Sequence, residues 1–352
     1  MQRKIKKKDF KKFFNDLRKA YKVYAPTRKG TITAYNFGDF APVEDVKWVE
    51  FKGNPISSPK KLFMPDGQTL FKYEKKGEEV ALKEGEQNFE EKRAVFGVRP
   101  CDIAAIEKLD KVFQKRSQDD PSYQQTRSNT LIIGMSCNEA VDEYCFCTVT
   151  GDGPDAETGY DLLMTDIGDE YFFRSGSPAG ERLLEKKYFT EVSPGDVQAR
   201  TEKVAGARKE LEERNKLDLK GVDIKAILEK KFDSPMWDKY GDRCVTCGGC
   251  TMTCPSCHCF TILDKANMAQ TEGKKVRVWD SCHYENFAKM AGPSEVRQNK
   301  TSRMKHRLYD KFYYKHKQYG VIFCTGCGRC VRHCQSEIDI RTALQEVLDD
   351  EK

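Results

Sequence analysis

Two stretches of this chain place cysteines where they could hold redox metal. Cys244-Val-Thr-Cys247-Gly-Gly-Cys250-Thr-Met-Thr-Cys254 and Cys324-Thr-Gly-Cys327-Gly-Arg-Cys330-Val-Arg-His-Cys334 share one spacing, C-x2-C-x2-C-x3-C. Thiolates are soft ligands, and three on a tight turn reach three corners of an iron–sulfur cube. The fourth cysteine lies too far along the following helix to reach the same cube and serves the other one. The spacing therefore assigns Cys244, Cys247, Cys250 and Cys334 to one [4Fe-4S] cluster, and Cys324, Cys327, Cys330 and Cys254 to a second. Gly248, Gly249, Gly326 and Gly328 let the backbone wrap closely around such a group. Paired C-x2-C motifs also bind zinc, but two four-cysteine runs in this register fit zinc poorly. Pro255 follows the first run as the pattern asks; Gln335 takes that place in the second, which alters the turn and leaves every ligand.

Seven of the fifteen cysteines remain. Cys101 and Cys137 each follow an apolar run that reads as a parallel strand, so both fall at the carboxyl edge of a sheet, where α/β folds build their sites. Cys145 and Cys147 can complete the set from a loop, and a third [4Fe-4S] cluster held by Cys101, Cys137, Cys145 and Cys147 is expected. The competing reading is buried thiols packing as small hydrophobes. For Cys257, Cys259 and Cys282 packing is the expectation, and a Cys3His zinc site with His258 or His283 is the alternative.

The elements that must position these residues are partly legible. Phe10, Phe13, Phe14, Leu17 and Tyr21 form one apolar stripe of a helix behind a lysine-rich face. Thr31–Tyr35 and Thr69–Tyr73 read as short strands among loops. Ala94–Val98 is a buried strand, followed by a helix with Asp102 as N-cap and Ile103, Ile106, Leu109 and Phe113 inside. Thr130–Met135 is a second buried strand, at the distance of a strand–helix–strand crossover. Residues 194–231, rich in Lys, Glu and Arg, read as exposed helix or linker. Between Cys254 and Cys324 only Arg303–Tyr314 reads as helix. The expected architecture is an α/β domain over residues 1–233 and a mostly helical, two-cluster ferredoxin-like domain over 234–352.

Length and composition agree with two domains and exclude other classes. The chain has 352 residues, 38% hydrophobic and 33% charged, with 20 Phe and 15 Tyr for its cores, so it is not disordered as a whole. It lacks a run of about 18 apolar residues and a signal-type leader, so a soluble, cytoplasmic protein is expected. Fifteen cysteines in a reducing compartment point to metal or redox sites and not to disulfides. The formal charge is +6, and two clusters carrying about −2 each would leave it only slightly positive. Residues 297–317 hold eight Lys or Arg interleaved with tyrosines, which suits an acidic redox partner or a solvated surface better than nucleic acid. Gly151–Ala156 matches a nucleotide loop nominally, but Pro154 and the missing strand make it a turn.

Taken together, Phe96-Gly-Val-Arg-Pro-Cys-Asp102, Cys145-Phe-Cys147, the cysteines after Pro255 and the second run carry a resemblance. The chain resembles the beta subunit of sulfhydrogenase-type [NiFe] hydrogenases and the A subunit of anaerobic sulfite reductase, from the first helix to Ile340. His258 stands where an aromatic residue is expected, which weakens its reading as a ligand. The resemblance implies an iron–sulfur electron-transfer subunit without catalytic residues of its own. Its partners would be a flavin-containing, NAD(P)H-linked subunit and a catalytic redox subunit: a hydrogenase, a sulfite reductase or a heterodisulfide-reductase-like enzyme. The alternative is a self-sufficient iron–sulfur oxidoreductase with its substrate on the N-terminal domain.

Overall fold

The computed structural model describes residues 1–27, 39–85, 91–114, 119–292 and 296–349. The strand expected at Thr31–Tyr35 lies outside them. The described strands are β1 (Gln2–Lys6), β2 (Lys22–Thr27), β3 (Asp39–Pro42), β4 (Gln68–Lys76), β5 (Glu79–Glu84), β6 (Arg93–Val98), β7 (Thr130–Met135), β8 (Leu162–Asp166), β9 (Glu170–Ser175), β10 (Phe260–Ala266) and β11 (Glu272–Trp279).

Seven of them form a mixed sheet in the order β1-β9-β8-β7-β6-β2-β3, with β2, β6, β7 and β8 parallel. The central strands β6, β7 and β8 carry the apolar runs 94–98, 131–135 and 162–164 because both faces are covered. On one face Phe96, Leu131 and Ile133 pack under Phe13, Phe14 and Leu17 of the helix Phe10–Ala20. On the other, Val95 and Ile132 meet Ile103, Ile106 and Leu109 of the helix Pro100–Phe113. The alternation between neighbours 94, 95 and 96 is the period of two that a strand imposes.

Asp102 departs from its expected role. Arg99 is the N-cap of the helix, without a side-chain cap, and Pro100 fills the first turn. Asp102 lies two residues further in, fully buried, with its carboxylate committed to a distant arginine.

The segment after residue 234 is less helical than expected. It carries the helices Met236–Arg243, Lys300–Tyr309 and Ile340–Asp349, but the interval between the cysteine runs also holds the β10–β11 hairpin. That hairpin joins β4 and β5 in an antiparallel sheet of order β10-β11-β4-β5. Strands from both sides of residue 234 therefore share one sheet. Buried Arg277 on β11 fixes the join by donating from Nε to Gln68 Oε1 of β4 at 3.0 Å. Its outer strand β10 is largely exposed and bears Asp264 and Lys265, so no strong period-two signal announces it. No helix among the described residues is long and apolar enough to cross a membrane.

Candidate metal centres

The two cysteine runs fold alike. In the first, the helix Met236–Arg243 delivers the chain to Cys244, and Gly248 at φ +72° caps a short helix that carries Cys250. In the second, Gly328 at φ +75° caps the short helix that carries Cys330. Each turn aims an amide at its first sulfur: Thr246 N–H donates to Cys244 Sγ at 3.4 Å, and Gly326 N–H to Cys324 Sγ at 3.5 Å. The Ile338 amide donates to Cys334 Sγ at 3.3 Å. Such N–H···S bonds stabilise negative charge on sulfur.

Two cavities lie between the runs. Cys244, Cys247, Cys250 and Cys334 line the first; Cys324, Cys327, Cys330 and Cys254 line the second. The fourth cysteine of each run thus lines the other run's cavity. Cys330 and Arg307 line both cavities, so the two share a wall. Burial pushes the Cys250 thiol up to about 12 and the Cys327 thiol up to about 11. Thiols held this way are neutral near pH 7 unless positive charge is supplied, and iron supplies it. The donor set, the cavities and the amide–sulfur bonds fit iron–sulfur clusters.

The third group is buried beside the second cavity. Cys101, Cys145 and Cys147 pack together with Cys327 and Leu211. Cys137 is buried too, with the charge of Arg99 acting on it, and near enough to Cys145 and Cys147 to disfavour their ionisation. Because β6 and β7 are parallel neighbours, Cys101 and Cys137 leave the sheet at the same edge.

Contacts that the sequence did not announce lock this group to the second run. Gly326, at φ +61°, lies so close to the loop that an added Cβ would stand 2.5 Å from the Cys147 backbone. The Phe146 amide donates to Gly326 O at 2.7 Å. Arg329, inside the second run and fully buried, donates to Asp102 Oδ1 at 2.6 Å and Oδ2 at 2.8 Å. It also donates to Pro55 O and Asn54 Oδ1, each at 2.6 Å, while Asn54 Nδ2 donates to Cys327 O at 3.0 Å. Lys108 bridges Asp152, at 2.6 Å, and Cys324 O, at 3.2 Å. The available signal was Arg329 at the position where the first run has Gly249, and an acid directly after Cys101.

The remaining thiols behave differently. Cys259 and Cys282 flank the paired ends of β10 and β11, near enough for each to shift the other's ionisation, Cys259 downward and Cys282 upward. Among the described residues no group of three or more His, Cys, Asp or Glu is arranged to hold a single metal ion. His258 packs between the rings of Phe113 and Phe323, as a residue in an aromatic position would. The basic stretch 297–317 is not a uniformly solvated stripe: Arg303, Arg307 and Lys311 are buried.

Comparison with known proteins agrees with this geometry. Residues 243–338 match the family model of a 4Fe-4S dicluster domain. Over 98% of its length the chain is 32% identical to sulfhydrogenase 2 subunit beta of Pyrococcus furiosus, covering 98% of that protein. No solved structure matches.

Proposed function

The chain belongs to the family of sulfhydrogenase beta subunits, and from that premise we propose that it is the electron relay of a multi-subunit oxidoreductase. Cys244, Cys247, Cys250 and Cys334 hold one [4Fe-4S] cluster, and Cys324, Cys327, Cys330 and Cys254 hold the second. A third is held by Cys101, Cys137, Cys145 and Cys147. The observation that carries the reading is the pair of cysteine-lined cavities with a common wall, beside which the third group packs.

Clusters of this kind supply reversible one-electron chemistry, and the protein's task is to space, bury and charge-balance them. The chain performs that task with its own groups. Amides at Thr246, Gly326 and Ile338 face the sulfurs, and the Asp102–Arg329 pair holds the N-terminal cysteines against the second run. Cys247, exposed at the protein surface, marks the end of the relay nearest an outside partner. We assign as partners a flavin-containing, NAD(P)H-linked subunit and a catalytic redox subunit of hydrogenase type, with the cytoplasm as location; a sulfite reductase or heterodisulfide-reductase-like enzyme is the other catalytic class that this relay could serve.

Anoxic purification from the native host tests the assignment. About twelve irons and as many acid-labile sulfides per chain support three clusters, and a saturated value of about eight removes the third. Co-purification of a flavoprotein and a hydrogenase supports the relay. A chain that arrives alone with its clusters intact, and itself reduces NAD(P), refutes it.

A further inference from the structure

The helix Lys300–Tyr309 runs directly into a wider turn, Asp310–Tyr314, and of the three cations this continuous stretch buries, Arg303, Arg307 and Lys311, the last two, four residues apart, line the cysteine cavities. Arg307 is 4% exposed and Lys311 is 1% exposed. Arg307 lines both cysteine cavities, whereas Lys311 lines only the second.

Their charge balance differs as well. Lys311 Nζ lies 3.7 Å from Asp310 Oδ2 and donates to Ser256 Oγ at 3.1 Å. Arg307 has no carboxylate partner among the described residues. Its Nη1 donates to Cys257 Sγ at 3.4 Å, and the acidic groups that act on it are Cys250, Cys257, Cys330 and Cys254. A guanidinium cannot give up its proton in a protein, so burying it without a counter-charge is strongly unfavourable. Three of those four thiols line the two cavities. The missing anion is therefore what the cavities hold: two thiolate-ligated clusters, each about −2 when oxidised and about −3 when reduced.

We propose that Arg307 is an electrostatic bridge shared by the two clusters, raising the reduction potential of both, and that Lys311 raises only that of the second. The inference rests on the two-cluster reading above. The step is a one-electron exchange: one core passes from 1+ to 2+ as its neighbour passes from 2+ to 1+, with no proton moved. A cation on the common wall favours the reduced form of either cluster and adds no preference between them, whereas Lys311 tilts the electron toward the second.

Redox titration of the whole chain, followed by electron paramagnetic resonance, tests this, with iron and sulfide measured on each sample. Cys334→Ala and Cys254→Ala, each removing one fourth ligand, assign the signals. Arg307→Gln at full iron load should lower both potentials, Lys311→Gln only the second, and Arg307→Lys neither appreciably. Unmoved potentials in fully loaded Arg307→Gln, or a shift confined to one cluster, overturn the proposal. If Arg307→Gln loses iron, Arg307→Lys decides: full load at wild-type potentials supports a role for the charge, and iron loss there too overturns it. A wild-type chain with only one cluster on these eight cysteines instead defeats the two-cluster reading, and the inference with it.

Discussion

Replacing Asp102 with asparagine keeps the shape of the side chain and removes its charge, leaving Arg329 buried without a carboxylate. The wild-type pair is completely buried and doubly hydrogen-bonded, at 2.6 and 2.8 Å. Breaking such a pair from one side typically costs about 3–5 kcal/mol, because the surviving charge is uncompensated. Pro55 O and Asn54 Oδ1 still accept from the guanidinium, which places the expectation at about 3 kcal/mol, the lower end of that range. If the pair is unmade when the protein opens, that loss accelerates opening by about 160-fold. The assay is the half-life of the visible iron–sulfur band in a fixed concentration of guanidinium, under anoxic conditions, for chains of equal iron content. Asp102→Leu combined with Arg329→Met removes both charges and should recover most of the lost lifetime, since an apolar replacement of a buried pair is often neutral. A half-life in Asp102→Asn within about 5-fold of wild type, equivalent to about 1 kcal/mol, would refute the claim that this pair clamps the N-terminal cysteines to the second run.

Further outcomes follow from the same geometry. Cys334→Ala should remove the cluster built mainly by the first run and Cys254→Ala the one built mainly by the second, each visible as loss of one paramagnetic signal; loss of the own-run cluster would reverse the assignment. Gly326→Ala should destabilise the chain by at least about 1–2 kcal/mol from the left-handed backbone alone, with more from the approach to Cys147, measurable as faster cluster release. Burial, helped by the charge of Lys315, pushes His258 down to about 4. The unfolded chain therefore binds the extra proton between about pH 6.5 and 4, and stability present above that window is lost as pH falls through it, by at most about 1.4 kcal/mol per pH unit. His258→Phe should flatten that slope in anoxic denaturation curves; an unchanged slope would show that other groups set it.

The parts of the fold readable in advance were those where one local rule acts alone. Phe10, Phe13, Phe14 and Leu17 repeat at helical spacing because a single face is buried, and 94–98 and 131–135 are apolar runs because both faces are. The cysteine runs carry their chemistry in their spacing, and the crossed lining of the two cavities follows from helix length. What escaped was long-range. Asp102 read as a cap because acids favour helix starts, yet its partner Arg329 lies 227 residues away. The β10–β11 hairpin escaped because its register is supplied by β4, from the other side of the chain. Arg307 and Lys311 were absorbed into a basic surface stripe, since charge alone does not tell which face of a helix turns inward.

Of the fifteen cysteines only Cys247 is exposed, with Val245 beside it 58% exposed. The surface that admits an electron also admits dioxygen, and a thiolate-held cube reached by oxidants sheds iron from its accessible corner first. Damage in air should thus run inward, from the cluster at Cys247 through its neighbour to the group behind Arg329. A subunit seated over Val245 and Cys247 would act as armour as well as partner, so that the isolated chain ages in air faster than the assembled complex.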